Sequence, residues 1–184
     1  MKFSRSWAIA VWAAIALVSD AASAQSFPSR PITVIMPFAG GSASDVVSRV
    51  LFNKMATILG QPIVVENKPG AGGNLGTALA AMAAPDGYTL VGAASGPMAG
   101  NLTLYKELGY DPQKDLVLIS PFASFTIVVT ASKKLGVTTL KDLIERAKKE
   151  PGALNYGSVG IGSSQHLAGE YFAQIAKVKL THDP

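Results

Sequence analysis

The sequence contains no cysteine and only two histidines, His166 and His182. The lack of cysteine excludes a disulfide scaffold, a thiol nucleophile and a thiolate metal site. Neither histidine stands in a cluster of Asp, Glu or His residues of the kind that binds a metal ion. We therefore expect neither a metal nor a cofactor.

Charge is also sparse, because charged residues make up 15% of the chain and the formal net charge is only +4. The basic residues form no stripe of the kind that nucleic-acid-binding proteins carry, so no nucleic-acid partner is expected. The glycine-rich segment 70–76 is not a dinucleotide-binding motif, because Leu75 stands where that motif requires glycine. The mild basic excess favours anions as ligands.

The N-terminus has the pattern of a cleavable secretory signal. Residues 1–5 are basic, and residues 7–18 form an apolar run that is shorter than the roughly 20 residues of a bilayer span. Residues 22–24 have the small-x-small pattern that precedes a signal-peptidase cut. We predict a signal peptide over residues 1–24 with cleavage between Ala24 and Gln25; a retained N-terminal anchor is the alternative.

After residue 25, short apolar runs alternate with longer segments whose apolar residues recur with a helical period. This alternation predicts an α/β fold with strand–helix units on a parallel sheet. The predicted strands are 31–37, 62–66, 88–93 and 154–158. The predicted helices are 45–59, 74–84, 101–108, 139–150 and 166–177.

Two of these helices have an apolar face that we expect to pack inward. On the first helix this face consists of Val46, Val47, Val50, Leu51, Met55, Ile58 and Leu59. On the last helix it consists of Leu167, Tyr171, Phe172 and Ile175. A capping box of Thr139 and Asp142 is predicted to begin the helix over residues 139–150.

Residues 116–131 form an uncharged stretch rich in β-branched and aromatic side chains. The stretch is longer than a usual strand, so we predict two strands that meet at a bend near residues 121–124. Such a segment is typical of a chain that crosses between two lobes. We predict a first lobe over residues 25–123 and a partial second lobe over 124–184, with one more strand beginning at Leu180.

Two loops rich in glycine and serine each follow a predicted strand and precede a predicted helix. The first contains Phe38, Ala39, Gly40, Gly41, Ser42 and Asp45. The second contains Ser158, Val159, Gly160, Gly162, Ser163 and Ser164, with His166 just beyond it. Close backbone approach, hydroxyl groups and the positive end of a helix dipole together predict an anion site. The alternative for either loop is a tight turn whose serine only caps the helix.

Some of these residues have a second interpretation. Asp45 has the spacing to Ser42 of a helix-capping acid, which is the alternative to a role in ligand binding. Ser163, Ser164 and His166 could suggest a hydrolase, but they do not stand in the G-x-S-x-G pattern. Residues two apart on a helix also do not face each other. We therefore predict a supporting role for His166 and no enzymatic activity, with a secreted hydrolase as the alternative.

Several blocks of the sequence resemble one family over residues 27–181. The blocks are 28–33, 37–42 with Asp45, 60–74, 84–90, 110–112, 154–158 and 162–170. They resemble, in the same order, the substrate-binding proteins of tripartite tricarboxylate transporters, which are the Bug-type periplasmic receptors.

This resemblance implies a type II periplasmic binding-protein fold, in which two α/β lobes surround a cleft. It implies a monomer that captures a di- or tricarboxylate, an amino acid or a related small carboxylate in the periplasm and delivers it to the membrane permease of the transporter. Backbone amides, hydroxyls and ordered water hold the carboxylate in the family. By position the groups here are those of 38–42 and 158–164, with Ser95 and Gly96 as further candidates.

The chain departs from the family pattern at its C-terminal end. Family members are roughly twice as long, and after Thr181-His182 they continue with a Val-Pro-Tyr-Lys-Gly-like stretch, where this sequence has Asp183-Pro184. We therefore expect the second lobe to be incomplete. A truncated, non-functional remnant of such a receptor is the alternative to a working one.

Overall fold

The computed structural model describes residues 26–184. The predicted signal peptide, residues 1–24, and the cleavage site before Gln25 lie outside the described residues. Within residues 26–184 no helix has both the length and the apolar character that crossing a bilayer requires.

A three-stranded parallel sheet forms the centre of the N-terminal part. Its strands are β1 (Ile32–Met36), β2 (Ile63–Asn67) and β3 (Thr89–Val91), in the order β2–β1–β3. β1 is the central strand, and its Val34 and Met36 are completely buried where they pack with Phe52 on one face of the sheet. The parallel order confirms the predicted α/β class and places the carboxyl ends of all three strands at one edge.

The helices occur where the apolar period predicts them, with some shorter than expected. They are α1 (Ala43–Leu59), α2 (Asn74–Ala81), α3 (Asn101–Leu104), α4 (Leu140–Lys149) and α5 (Ser164–Ala176). Single turns of 3₁₀-helix cover Ala71–Gly73 and Lys133–Leu135, and a single turn of π-helix covers Gly96–Gly100. The capping box that begins α4 is confirmed, because Thr139 accepts from the Asp142 N–H and the Asp142 side chain accepts from the Thr139 N–H.

A second parallel sheet follows in the C-terminal part. It consists of β4 (Asn155–Gly157) and β5 (Thr181–Asp183), which pair along their whole length. The strand predicted to begin at Leu180 is therefore present, one residue later. α5 connects the two strands, so the loop before α5 lies at the carboxyl end of β4.

The prediction of two strands over residues 116–131 is wrong. The structure assigns neither helix nor strand to this stretch, and its Val117, Leu118 and Ile119 are 79–90% exposed. A β-branched sequence becomes a strand only when a neighbour supplies the ladder hydrogen bonds. Neither sheet of the described chain extends to these residues.

The predicted inward faces of α1 and α5 are also largely wrong. On α1, Leu51 and Met55 pack beside the core residue Phe52, whereas the other predicted members are exposed. These exposed members are Val46, Val47, Val50, Ile58 and Leu59. On α5 no residue is buried, and Leu167, Tyr171 and Ile175 are exposed. The apolar period predicted the helices correctly, but the first sheet covers only a narrow stripe of α1, and no residue of α5 is buried in the described chain.

Candidate anion-binding site

The loop between β1 and α1 is organised by the cap of α1. Ser42 is the N-cap residue, and its hydroxyl accepts a 3.3 Å hydrogen bond from the Asp45 N–H. The Asp45 carboxylate turns back and accepts a 2.9 Å hydrogen bond from the Gly41 N–H. Gly41 has a φ of 79°, a conformation that glycine adopts without a steric penalty.

Asp45 is a buried carboxylate whose oxygens are all engaged within the protein. The Arg49 Nε donates to both of them at 3.0 and 3.1 Å, and the Asn67 Nδ2 donates to Oδ1 at 2.9 Å. The hydrogen bond from Arg49, then those from Gly41 and Asn67, lower the pKa of Asp45 to about 2. These contacts favour the capping interpretation of Asp45, and its contact with a ligand stays a prediction.

The first loop contains two backbone N–H groups that have no acceptor among the described residues. Gly41 uses its N–H on Asp45, but no other described residue accepts from the N–H of Ala39 or Gly40. Both residues are exposed, and they precede the N-terminus of the 17-residue helix α1. Backbone N–H groups in a glycine-containing loop that leads into a helix are donors of the kind that bind an anion.

The second loop, between β4 and α5, is held by its own serines and His166. Ser163 caps α5 by accepting from the His166 N–H at 3.2 Å, and its side chain is buried. The Ser158 hydroxyl accepts from the Gly160 N–H at 3.0 Å, and the His166 Nδ1 accepts from the Gly162 N–H at 3.2 Å. His166 therefore supports the loop backbone, and the Ser163 hydroxyl meets the backbone of His166, not its imidazole.

An unpredicted contact joins this loop to the last strand. The Ser158 Oγ lies 2.7 Å from the His182 Nε2, and the rings of His166 and His182 are 4.3 Å apart. Tyr156 donates a 2.6 Å hydrogen bond to Glu170, and burial together with this carboxylate raises the pKa of Tyr156. No sequence pattern pointed to His182, because only the parallel pairing of β4 with β5 brings it beside Tyr156.

The second loop packs directly against the N-terminal part of the chain. The Ser95 and Ser164 hydroxyls are 3.0 Å apart, and the Tyr105 hydroxyl donates to the Ile161 carbonyl at 2.8 Å. Four pairs are so close that a β-carbon on the glycine would overlap its neighbour. They are Gly72 with the Ile161 oxygen, Gly96 with the Gly162 oxygen, Gly162 with the Asn101 side chain, and Gly160 with the Gly72 nitrogen. We call this contact the glycine seam.

The structure therefore brings some predicted site residues together and leaves others apart. Ser95 and Gly96 meet the second loop directly. The first loop reaches this region through Phe38, whose ring lies 3.2 Å from the position of a β-carbon on Gly73. Gly41 faces open space, since a β-carbon there would meet nothing within 4 Å.

A buried amide pair lies beneath the seam and was not predicted. Asn101 Nδ2 donates to Asn74 Oδ1 at 2.6 Å, and Tyr110 donates to the Pro97 carbonyl at 2.8 Å. A cavity of about 310 Å³ adjoins this pair but contains none of the predicted site residues. Its lining consists of Ala71, Asn74, Leu75, Ala78, Tyr105, Glu107 and Leu108. Within residues 26–184 no group of three or more His, Asp or Glu side chains is arranged for a metal ion.

Comparison with known proteins places this chain among transport receptors. A family model described as tripartite tricarboxylate transporter family receptor matches residues 47–184. Protein BugT of Bordetella pertussis is 38% identical over 165 residues, which are 89% of this chain and 51% of that protein. The chain thus spans about half the length of the curated relatives it matches.

Solved structures agree with this comparison. MatC from Rhodopseudomonas palustris with bound malate is 34% identical with a TM-score of 0.80, and the match covers 86% of this chain and 54% of that one. The periplasmic binding protein BugD is 30% identical with a TM-score of 0.71, over 86% of this chain and 52% of that one. These similarities confirm the expected periplasmic binding-protein fold.

Proposed function

Since the chain belongs to the tripartite tricarboxylate transporter family of receptors, we propose that it captures a small carboxylate in the periplasm and delivers it to the permease of such a transporter. The observation that carries this proposal is the first loop, in which Ala39 and Gly40 are exposed residues before α1 and their N–H groups have no acceptor among the described residues. The malate complex of MatC, a structural neighbour, supports a dicarboxylate as the first ligand to test.

The ligand in this proposal is recognised mainly by backbone. Ala39 and Gly40 donate to one carboxylate, while the hydroxyl of Ser42 borders the same loop. Ser95 and Ser164, whose hydroxyls already meet at the glycine seam, supply the facing side. Backbone donors select for negative charge and shape more than for a particular side chain, so a di- or tricarboxylate, an amino acid or a related anion fits the site.

The remaining parts of the proposal concern the whole protein. Residues 25–123 would belong to the first lobe and residues 124–184 to the second, with the ligand between them. The receptor would act as a monomer and without chemical turnover, because binding and release are sufficient for delivery to a permease. The described residues give Ser163 a capping role and thereby a reason to disfavour the hydrolase alternative.

Export through a signal peptide completes the proposal. The basic residues 1–5, the apolar run 7–18 and the small residues at 22–24 support cleavage between Ala24 and Gln25. The chain should therefore be expressed in a Gram-negative host and purified from the periplasmic fraction. Its intact mass should correspond to a chain that begins at Gln25; an uncleaved mass would contradict the export proposal.

Titration calorimetry of the purified chain against malate, citrate and glutamate tests the binding function. We expect a saturable heat for at least one of these anions. Ala39→Asp adds a negative charge beside the proposed donors and should weaken binding by about tenfold or more. Ala153→Asp adds the same charge at an exposed position after α4 and serves as the matched control. If malate, citrate and glutamate all fail to bind under conditions where MatC binds malate, or if both variants bind like the parent, the proposal fails.

A further inference from the structure

The underside of the first loop is held by Asn67, the last residue of β2. Parallel pairing aligns Asn67 with Met36, so its side chain lies beside the point where the chain leaves β1. Nδ2 donates to the Phe38 carbonyl at 3.0 Å and to Asp45 Oδ1 at 2.9 Å. Oδ1 accepts from Arg49 Nη2 at 2.8 Å. Both hydrogens of the amide and its oxygen are therefore engaged in hydrogen bonds to Phe38 of the loop and to Asp45 and Arg49 of α1.

Asp45 and Arg49 complete this support from the other side. Asp45 accepts from the Gly41 N–H, and Arg49 holds the Asp45 carboxylate through its Nε. The loop is thus attached at its start by the Phe38 carbonyl and at its end by the Gly41 N–H. Only Ala39 and Gly40 lie between these two attachments; both residues are exposed, and their N–H groups have no acceptor among the described residues.

The charges of the network suit an anion site. A lone carboxylate at Asp45 would repel a bound anion, but the Arg49 guanidinium neutralises it at hydrogen-bond distance. Asn67 bridges a carbonyl oxygen and a carboxylate oxygen with two donors and adds no charge of its own. An aspartate at 67 would instead place a second carboxylate against Asp45.

We infer that Asn67 is a positioning residue for ligand capture, which fixes residues 38–41 so that the Ala39 and Gly40 N–H groups converge on a carboxylate. The inference rests on the proposed function but adds a residue that does not touch the ligand. Its side chain also lies directly beneath Gly40, since a β-carbon on Gly40 would be in van der Waals contact with the Asn67 Oδ1 at 3.5 Å.

Asn67→Leu tests this role, because leucine keeps the size of the side chain and removes all its hydrogen bonds. Val65→Ala is the matched control, because Val65 lies two residues earlier on β2 and packs against the core. Malate affinity is measured by calorimetry at a temperature where circular dichroism shows each variant folded. Hydrogen exchange of the Gly41 amide is followed in the ligand-free proteins.

We expect Asn67→Leu to weaken malate binding by about tenfold or more and to accelerate exchange at Gly41. Val65→Ala should lower the melting temperature at least as much, keep the affinity within about twofold and leave the exchange at Gly41 slow. Equal effects of the two variants on affinity and exchange would overturn the inference, since they would show that Asn67 only stabilises the fold.

Two further readouts keep the outcome decisive. If Asn67→Leu does not fold, Arg49→Gln removes the charge from a half-exposed side chain and should produce the same faster exchange at Gly41. If the parent chain binds no carboxylate, the proposed function fails by itself. The exchange comparison then still decides whether Asn67 fixes the loop, because it requires no ligand.

Discussion

At the scale of single residues, Asp45 explains how a carboxylate is accommodated beside a proposed anion site. It is almost completely buried, and three partners from the loop, α1 and β2 donate to it. Burial alone would raise the pKa of Asp45, but the hydrogen bonds from Arg49, Gly41 and Asn67 outweigh it and lower the pKa to about 2. The charged form is therefore the one that the fold stabilises.

This lowered pKa predicts a specific loss of stability in acid. Because the pKa of Asp45 is lower in the folded state than its ordinary value of 3.8, the stabilisation is complete above about pH 5 and disappears as the pH falls toward 2. We expect a loss on the order of 1–2 kcal/mol in the free energy of unfolding, discounted because Arg49 is half-exposed. Urea unfolding between pH 6 and pH 2.5 measures it.

Asp45→Asn should reduce that pH dependence, since asparagine does not titrate. Asp86→Asn is the control, because Asp86 pairs with Arg30 at the surface, where an ion pair contributes little to stability. The control should retain the acid slope of the parent protein. An unchanged slope in Asp45→Asn would show that other carboxylates cause the loss.

At the scale of secondary structure, α4 shows the most complete agreement between sequence and structure. Its predicted capping box is present, with 3.1 Å between the Asp142 N–H and the Thr139 Oγ1 and 3.0 Å between the Thr139 N–H and Asp142 Oδ2. Such a box requires only residues three apart in sequence, so it forms regardless of the surroundings of the helix.

Thr139→Ala should therefore destabilise the chain by about 1 kcal/mol, with a range of roughly 0.5–2 kcal/mol. The loss arises because the Asp142 N–H is left without a partner at the helix end. Lys148→Ala, at an exposed position near the other end of α4, should change the free energy of unfolding by less than about 0.5 kcal/mol. Equal urea midpoints for the two variants would contradict a stabilising cap.

Sequence patterns predicted wrongly the strands over residues 116–131 and most of the buried faces of α1 and α5. Their apolar residues have the composition of a strand or the period of a buried face, yet many are exposed in the described chain. Val117, Val128 and Ile175, for example, are between 63% and 90% exposed. Apolar and β-branched composition favours burial and strand pairing, but whether a strand or helix lies beside the segment depends on the rest of the fold.

At the scale of the whole molecule, the glycine seam determines how the C-terminal part meets the N-terminal part. Gly72 has a φ of 63°, and a β-carbon on it would overlap the Ile161 carbonyl. Gly109 has a similar φ of 76°, but a β-carbon there would meet nothing within 4 Å. Comparing an alanine substitution at each glycine therefore separates the destabilisation caused by the backbone conformation from the destabilisation caused by the contact.

Gly109→Ala should lower the free energy of unfolding by roughly 1–2 kcal/mol, because of the left-handed backbone conformation alone. Gly72→Ala should cost more, because the second loop must also move away from the seam. The difference should appear in hydrogen exchange as faster opening of residues 158–164 in Gly72→Ala only. Similar exchange of this loop in both variants would mean that the seam does not hold it.

The loops of the candidate site could be predicted from the sequence, but not all the residues that hold the first loop in place could be. Glycines and serines between an apolar run and a helical period indicated the segments near Gly40 and Ser163. Asp45 and Arg49 also stand four residues apart, a spacing that would have suggested their ion pair. Asn67 lies 22 residues after Asp45 and reaches it only through the register of β1 and β2.

The sequence by itself determined the local features: the helices, the strands 32–36, 63–67 and 155–157, the caps at Ser42 and Thr139, and the parallel α/β class. These depend on hydrogen bonds and apolar periods within a few residues. The tertiary structure alone decided which apolar faces are covered, that Asn67 supports the first loop, and that the glycine seam joins Ser95 to Ser164. Those features require residues distant in sequence to meet, and the register and packing of the sheets set their distances.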